Sequence, residues 1–147
     1  MFERIIVGTD GSDTAAEAVR QATELARATG AKLDIVSAYQ PVSSGRLREE
    51  SGEIPGDVAF SVGPKEDVNV ILEAAAGPGR EAGVEVNTHA REGDAADAIL
   101  DVAEQVNASV IVVGNKGMTG ARRFLLGSVP NKISHHAPCS VYIARTT

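Results

Sequence analysis

Short apolar runs alternate along this chain with longer segments in which apolar residues recur at the spacing of a helix. The apolar runs, each of strand length, cover residues 4–9, 32–39, 84–90, 109–113 and 140–144. Successive apolar residues, as in Ile5-Ile6-Val7, are typical of a strand buried on both faces. The alternation of such strands with helices is typical of βαβ units and predicts a parallel sheet.

The segments with helical spacing cover residues 14–29, 65–82, 95–106 and 129–136. Ser12 is the predicted N-cap of the first helix, and Gly30 is the residue expected to close it. Gly77-Pro78-Gly79 predicts a kink or a break in the second helix, because proline lacks a backbone donor. Residues 40–64 show neither pattern, and a loop of 25 residues is usually functional or disordered; we expect a mobile lid that orders over a ligand.

Five strands and four helices of these lengths predict a single α/β domain over residues 1–147. Because parallel crossovers are right-handed, the expected fold class is a doubly wound, three-layer α/β/α sandwich. An apolar content of 43% with 23% charged residues excludes a disordered chain and a coiled coil. No apolar run approaches the ~20 residues of a membrane span, so we expect no membrane protein.

The charges are distributed unevenly along the chain, whose net charge is −6. All 20 acidic residues lie at or before Glu104, whereas residues 105–147 carry five basic residues and no acidic one. An acidic protein is not expected to bind nucleic acid, which requires a wide basic surface. A local basic segment instead favours a small anionic ligand; the alternative is that the last elements are simply buried and short of carboxylates.

A glycine-rich pattern begins where the fourth predicted strand ends. Gly114-Asn115-Lys116-Gly117 is followed by Gly127-Ser128 at the start of the last predicted helix. Glycines let backbone N–H groups approach an anion, and a helix N-terminus favours a phosphate. Lys116, Arg122 and Arg123 add positive charge, so the pattern predicts phosphate binding. The alternative is that the glycines only turn the chain and Ser128 caps the helix.

A second polar segment, Gly8-Thr9-Asp10-Gly11-Ser12, follows the first predicted strand. Ligands of open α/β sheets bind at the carboxyl ends of the strands. If the first and fourth strands are neighbours, Asp10 and Gly114 face the same crevice. Asp10 could then accept a hydrogen bond from a ribose hydroxyl or hold a divalent ion beside phosphates. The alternative is simple turn chemistry, since Asp-Gly-Ser is a common turn sequence.

Other sequence features argue against an enzyme and for the cytoplasm. The chain holds no P-loop motif and no convincing set of nucleophile, base and orienting residue. Met1-Phe2-Glu3-Arg4 leads directly into the first apolar run, so we expect no secretory signal. The single cysteine, Cys139, cannot form an intrachain disulfide and fits a reducing compartment.

Taken together, these residues resemble the universal stress protein family over essentially the whole chain. Ile5-Ile6-Val7-Gly8-Thr9-Asp10-Gly11-Ser12 is similar to the first-strand signature of that family. The pattern Gly114-x2-Gly117-x9-Gly127-Ser128 is similar to the motif of its ATP-binding branch. Leu125-Leu126-Gly127-Ser128-Val129, followed by Pro138 and Val141-Tyr142-Ile143, is also typical.

The resemblance implies a Rossmann-like fold of the adenine nucleotide alpha hydrolase-like group, with five parallel strands in the order 3-2-1-4-5. It further implies a homodimer joined through the last strand, and ATP with Mg²⁺ as the ligand, cyclic AMP or AMP being alternatives. Gly8, Thr9 and Asp10 match the segment that contacts the nucleoside, and Asp10 would lie near the ribose or a phosphate-bound Mg²⁺. Ala38 matches the position where the family commonly places Val against adenine.

The resemblance also assigns the phosphate end of the site. The triphosphate-binding positions of the motif hold Gly114, Gly117, Gly127 and Ser128. Lys116 contributes a positive charge within this motif, and Val129 follows it at the start of the last helix. Pro130 replaces the hydroxyl residue often found next, and it removes one N–H that a phosphate could use.

These features are consistent with four functions. The first is an ATP-binding regulatory protein of the stress response, in which the nucleotide controls conformation or partners. The second is a slow ATPase or a self-phosphorylating protein that uses Ser128 or a loop serine. The third is a cyclic AMP-binding protein of the same fold, and the fourth is a dimerisation module that binds no nucleotide.

Overall fold

The computed structural model describes residues 2–40, 61–62, 65–115 and 126–146, and the first two of these ranges are joined by residues 41–60, which lie outside the description. Most of the predicted lid, residues 40–64, therefore lies outside the described residues. The described elements form one sheet with helices on both faces.

The described part of the chain contributes six strands to the sheet: β1 (Arg4–Gly8), β2 (Lys32–Tyr39), β3 (Ser61–Val62), β4 (Val86–Glu92), β5 (Val110–Gly114) and β6 (Ser140–Ala144). All described pairings are parallel. The five long strands lie in the order β4-β2-β1-β5-β6, so the order 3-2-1-4-5 is confirmed. The two-residue β3 pairs with Ala38 and Tyr39 at the end of β2. It was not predicted, because two residues carry no detectable periodicity.

Among the described residues four helices lie between the strands: α1 (Asp13–Thr29), α2 (Lys65–Glu81), α3 (Ala95–Gln105) and α4 (Ser128–His136). The predicted cap is confirmed at α1, where the Ser12 side chain accepts a hydrogen bond from the Ala15 backbone N–H. Gly30 closes the helix in the left-handed conformation, with φ of 75°, which glycine adopts without strain. Asp94 caps α3 in the same manner as Ser12, through the Asp97 backbone N–H.

The sheet separates two apolar cores, because the helices are divided between its faces. On one face α1 and α2 pack over β1, β2 and β5, with Ile5, Leu33 and Leu72 at most 1% exposed. On the other face α3 and α4 cover Ile6, Ile111 and the side chains around them. This arrangement is the predicted three-layer α/β/α sandwich.

The predicted break at Gly77-Pro78-Gly79 is wrong, because α2 continues through these residues to Glu81. Pro78 lies in the last turn of the helix, so its missing N–H removes a single hydrogen bond. Burial of Val68, Leu72, Ala76 and Gly79 against the sheet holds the helix together beyond that point.

The third predicted strand, residues 84–90, was placed two residues too early. The Val84 N–H donates to the Gly79 carbonyl, 2.9 Å away, so Val84 still belongs to the chain reversal that ends α2. Gly83 makes this reversal with φ of 85°. Val84 is buried, and its apolar character was therefore mistaken for strand periodicity.

A buried carboxylate connects β1, β2 and β4 across the sheet. Asp34 of β2 is fully buried and accepts hydrogen bonds from Arg4 of β1 at 2.9 and 3.1 Å. Nε2 of His89 in β4 lies 2.9 Å from the same carboxylate. Burial raises the pKa of Asp34, but hydrogen bonds with His89 and Arg4 outweigh it and hold the pKa below its usual value.

Within the described residues, no helix is long and apolar enough to cross a membrane.

Candidate functional site

The carboxyl ends of β1 and β5 lie side by side and open a crevice between them. Ile5, Ile6 and Val7 are in register with Val110, Ile111 and Val112, so the expected neighbourhood of the two strands is confirmed. The chain leaves β1 for α1 on one face of the sheet and leaves β5 for α4 on the other face. Such divergence of two neighbouring connections is the usual ligand position in open α/β sheets.

The segment after β1 is a hydrogen-bonded turn that leads into α1. The Thr9 hydroxyl accepts the Gly11 N–H at 3.1 Å, and one oxygen of Asp10 accepts the Ser12 N–H at 2.9 Å. The alternative role of Asp10, a hydrogen bond within the turn, is therefore confirmed for that oxygen. Asp10 is half-buried, and it is not among the residues that line the pockets beside α1.

Ser37 holds the end of β1 in place, and it was not singled out from the sequence. Its hydroxyl donates to the Thr9 carbonyl at 2.6 Å, while the Thr9 N–H donates to the Val36 carbonyl at 2.9 Å. Both Thr9 and Ser37 are 2% exposed. The backbone of Thr9 is therefore fixed on both of its polar groups, although no sequence pattern marks the serine as its partner.

Gly114 ends β5 where there is little room for a side chain. A Cβ on this residue would lie 3.1 Å from Cγ2 of Thr146, closer than most carbon contacts allow. The glycine thus permits the chain after β6 to pack against the end of β5. Thr146 was not predicted to lie here, because only the register of β5 with β6 brings the two together.

The start of α4 presents uncapped backbone donors. Gly127 is the N-cap residue, and no side chain of the described residues caps the helix. Its own N–H donates to the Asn115 carbonyl at 3.4 Å. Ser128 is the first helical residue, so the interpretation of Ser128 as the cap was wrong. Its side chain is exposed and has no hydrogen bond to any described residue.

Val129 and Pro130 extend this end of the helix into the crevice. Together with Gly8, Gly114 and Thr146 they line a small open pocket between α1 and α4. Pro130 lies in the first turn of the helix, where a missing N–H costs no intrahelical bond. The pocket therefore gathers predicted residues from β1, β5 and α4.

Among the described residues, a larger groove of about 490 Å³ lies on the other side of α1, between α1 and α2. Thr9 and Gly11 line one part of it, and apolar side chains such as Val19 and Ile71 line the rest. The end of β1 thus contributes to both pockets formed by the described residues, Gly8 to the one between α1 and α4 and Thr9 to the one between α1 and α2.

Ala38 lies farther along the same edge of the sheet. It is 1% exposed at the end of β2, and it belongs to the core beneath α3. Its backbone is in register with Ser61 of β3 and Arg91 of β4. The side chain of Ala38 thus packs within this core.

Lys116 and Gly117 of the glycine-rich motif lie outside the described residues, as do Arg122 and Arg123. Lys132 is a further basic residue of the acid-free segment, and its side chain pairs with two carboxylates. Its Nζ lies 2.8 Å from Oδ1 of Asp97 and 3.5 Å from Oδ2 of Asp94. These contacts join α4 to the start of α3.

Among the described residues, no group of three or more His, Cys, Asp or Glu side chains could hold a metal ion. Asp10 is the predicted metal residue, and a single carboxylate is a sparse donor set. Mg²⁺ commonly binds through one or two carboxylates together with substrate phosphates and water. The residues present therefore fit a Mg²⁺ ion carried by a nucleotide and do not form a dedicated metal cage.

Comparison with known proteins agrees with this architecture. A family model described as the universal stress protein family matches residues 1–145. A universal stress protein of Mycobacterium tuberculosis is 35% identical over 147 residues, covering 99% of this chain and 98% of the relative.

Two solved structures of similar fold contain nucleotides. A universal stress protein in complex with cAMP is 30% identical with a TM-score of 0.74, covering 99% of this chain and 98% of that one. The Archaeoglobus fulgidus universal stress protein in complex with dAMP is 26% identical with a TM-score of 0.65, covering 97% of each chain. Given the matched length and the sequence identity, this chain belongs to the universal stress protein family.

Proposed function

We propose that this chain binds an adenine nucleotide at the carboxyl edge of its sheet and acts as a regulatory protein of the stress response. The observation that carries the proposal is the convergence of three elements on one pocket. Gly8 at the end of β1, Gly114 at the end of β5 and the uncapped first turn of α4 all border it.

The chemistry of this pocket suits the phosphate end of the ligand. The N–H groups of Ser128 and Val129 in the first turn of α4 have no intrahelical partner, as at the start of any helix. The helix dipole adds partial positive charge at the same point, and the Ser128 hydroxyl is a further donor. In this proposal Gly117, Gly127 and Lys116 complete the phosphate site, as their positions in the motif imply.

The relatives support an adenine nucleotide as the ligand class. Two proteins of the same fold, 30% and 26% identical to this chain, are described in complex with cAMP and dAMP. Adenine is common to both ligands, whereas their phosphate groups differ. Among adenine nucleotides we propose ATP, because the spacing Gly114-x2-Gly117-x9-Gly127-Ser128 is similar to the motif of the ATP-binding branch.

In this proposal the nucleoside lies against Thr9, Asp10 and Ala38. Asp10 would accept a hydrogen bond from the ribose or contact Mg²⁺ that the phosphates carry. Its second carboxylate oxygen is available for this, because only one oxygen accepts the turn hydrogen bond from Ser12. The Mg²⁺ ion would supply charge neutralisation for the phosphates.

A regulatory role fits the chemistry of the site better than rapid catalysis. The described side chains that line the pocket are small or apolar, apart from the hydroxyls of Thr14 and Thr146. A general base within hydrogen-bond reach of a nucleophile is the usual requirement for rapid phosphoryl or acyl chemistry. Slow ATP hydrolysis or self-phosphorylation of Ser128 is the alternative enzymatic function.

Cyclic AMP is the second candidate ligand. The observation that favours it is the solved relative in complex with cAMP, which shares 30% identity over nearly the whole chain. A site that serves cyclic AMP has to accommodate one phosphate against the ribose, whereas ATP requires space for three. AMP would use the same nucleoside contacts.

We also propose that the protein is a cytoplasmic homodimer and binds no nucleic acid. The edge strand β6 exposes Tyr142 and Ile143, which are 43% and 41% exposed. An exposed apolar edge strand is a common pairing surface for a second chain. The acidic net charge of −6 supports the absence of a nucleic-acid surface.

Isothermal titration of the purified protein with ATP-Mg, cyclic AMP, AMP and GTP tests the ligand. The proposal expects saturable binding of adenine nucleotides, tightest for ATP-Mg, and none for GTP. A tighter site for cyclic AMP than for ATP would favour the second candidate. Equal affinity for GTP would contradict adenine recognition. Steady formation of ADP from ATP during the titration would favour the enzymatic alternative.

A further inference from the structure

Asn115, the residue after β5, uses its backbone and its side chain to connect three parts of the fold. Its N–H donates to the Ala144 carbonyl of β6 at 2.9 Å, and its carbonyl accepts the Gly127 N–H at 3.4 Å. Its side-chain oxygen accepts the N–H of Thr146 at 3.0 Å and the hydroxyl of Thr146 at 3.2 Å. One half-buried residue thus joins β5, the chain after β6 and the start of α4.

The orientation of the amide follows from its partners. The Thr146 N–H can only donate, so the atom that faces it must be the carbonyl oxygen of Asn115. An alanine at this position would remove this acceptor and leave two donors of Thr146 without their partner. An aspartate would preserve the acceptor and add a negative charge.

Two residues that Asn115 contacts border the pocket to which the proposed function assigns the phosphates. Thr146 lines it, and Gly127 begins the helix whose residue Val129 lines it. Cγ2 of Thr146 lies where a Cβ on Gly114 would be only 3.1 Å away, so the spacing at this wall is tight. Small shifts of the chain after β6 would therefore change the shape of the pocket.

We propose that Asn115 is a positioning residue for the phosphate end of the nucleotide site. It fixes Thr146 against Gly114 on one side and the N-cap of α4 on the other, and it touches no nucleotide atom in this role. This inference rests on the proposed function, because it assigns the phosphates of the ligand to the pocket that these residues line. It predicts a defect that depends on the phosphates of the ligand.

The test compares ATP-Mg with adenosine, which lacks phosphates, on wild type, Asn115→Ala and the control Asn69→Ala. Asn69 is exposed on α2 and has no side-chain hydrogen bond to a described residue. Affinities are measured by titration calorimetry for ATP and by chemical-shift titration for the weaker adenosine. We expect Asn115→Ala to weaken ATP at least tenfold, with adenosine within twofold of wild type and Asn69→Ala unchanged for both.

Amide hydrogen exchange of the ligand-free protein supplies a readout independent of binding. Asn115→Ala should speed exchange at the Thr146 amide, whereas Asn115→Asp should retain the slow exchange of wild type because it keeps the acceptor. A Thr146 amide that exchanges equally slowly in wild type and Asn115→Ala would overturn the connection itself.

The binding outcomes separate this inference from the proposed function. If wild type binds neither ATP nor adenosine, the proposed function fails and the positioning role falls with it. If wild type binds both, and Asn115→Ala weakens both equally or weakens neither, only the positioning role is overturned. An equal loss for both ligands would mean that the substitution loosens the whole domain.

Discussion

The buried carboxylate of Asp34 lies 2.9 Å from Nε2 of His89, on the strand next to it in the sheet. Arg4 donates two further hydrogen bonds to this carboxylate from the strand on its other side. The three side chains thus connect β1, β2 and β4 across the sheet. A carboxylate in this position is stabilised as the anion by its partners and would be costly to bury without them.

The lowered pKa of Asp34 predicts acid-sensitive stability. A carboxyl whose folded pKa lies below its unfolded value, about 3.9 for Asp, stabilises the fold above that value. This contribution is lost as the pH falls through the folded pKa. We expect the free energy of unfolding, measured by urea titration, to fall more steeply below about pH 4 in wild type than in Asp34→Asn.

Asp34→Asn should also lower stability at neutral pH by about 2–4 kcal/mol, because it leaves Arg4 without its counter-charge. Glu17 titrates in both proteins; the hydrogen bond from Arg20 and then that from Gln21 lower its pKa to about 2. Its contribution therefore cancels in the difference between wild type and variant. Parallel curves for the two proteins below pH 4 would contradict the role of Asp34.

Two glycines of α2 provide a matched test of packing. A Cβ on Gly79 would lie 2.9 Å from Cγ2 of Val86, whereas a Cβ on Gly77 would meet nothing within 4 Å. We expect Gly79→Ala to destabilise the protein by about 1–2 kcal/mol through overpacking. Gly77→Ala should stabilise it by about 0.5–1 kcal/mol, because alanine favours the helix. Chemical denaturation of both variants checks this, and equal effects of the same sign would contradict the close contact with β4.

Ser128→Ala tests the phosphate end of the proposed site without disturbing the fold. Its exposed hydroxyl makes no hydrogen bond to a described residue, so unfolding should change by less than about 0.5 kcal/mol. A hydrogen bond to a charged phosphate contributes about 1.5–3 kcal/mol, so ATP affinity should fall about tenfold or more by calorimetry. Ser134→Ala, in the same helix, is the control and should bind as wild type does. Unchanged affinity in Ser128→Ala would remove this residue from the site.

The edge strand β6 makes the proposed dimer testable by a single charge. Ile143→Glu places a carboxylate on a side chain that is 41% exposed, so the fold of one chain should tolerate it. Sedimentation velocity should show a species of twice the mass of one chain for wild type and a monomer for the variant. A variant that sediments with wild type would exclude β6 as the pairing surface.

The sequence predicted the sheet well because its strands are marked by apolar runs and its helices by caps. The bounds of β2 and β6 agree with the predicted residues, and the caps Ser12 and Gly30 are where they were expected. These features are local, so a single segment of sequence contains the information. The strand order was implied by the family resemblance.

Relationships between distant segments were not predictable in the same way. Asp34 interrupts an apolar run, and nothing near it in sequence indicates its partners Arg4 and His89, which lie 30 and 55 residues away. Asn115 and Thr146 are 31 residues apart, and they meet only because β5 and β6 pair in one register. The continuity of α2 through Pro78 likewise depends on packing against the sheet.

Thermal unfolding with and without ATP-Mg tests the central claim most directly. A ligand that binds only the folded protein stabilises it by about 2.7 kcal/mol at a concentration of 100 times Kd. The account predicts a Tm that rises with ATP-Mg concentration and does not rise with GTP. A folded wild-type protein whose Tm is the same with millimolar ATP-Mg, cyclic AMP or AMP as without them would contradict it.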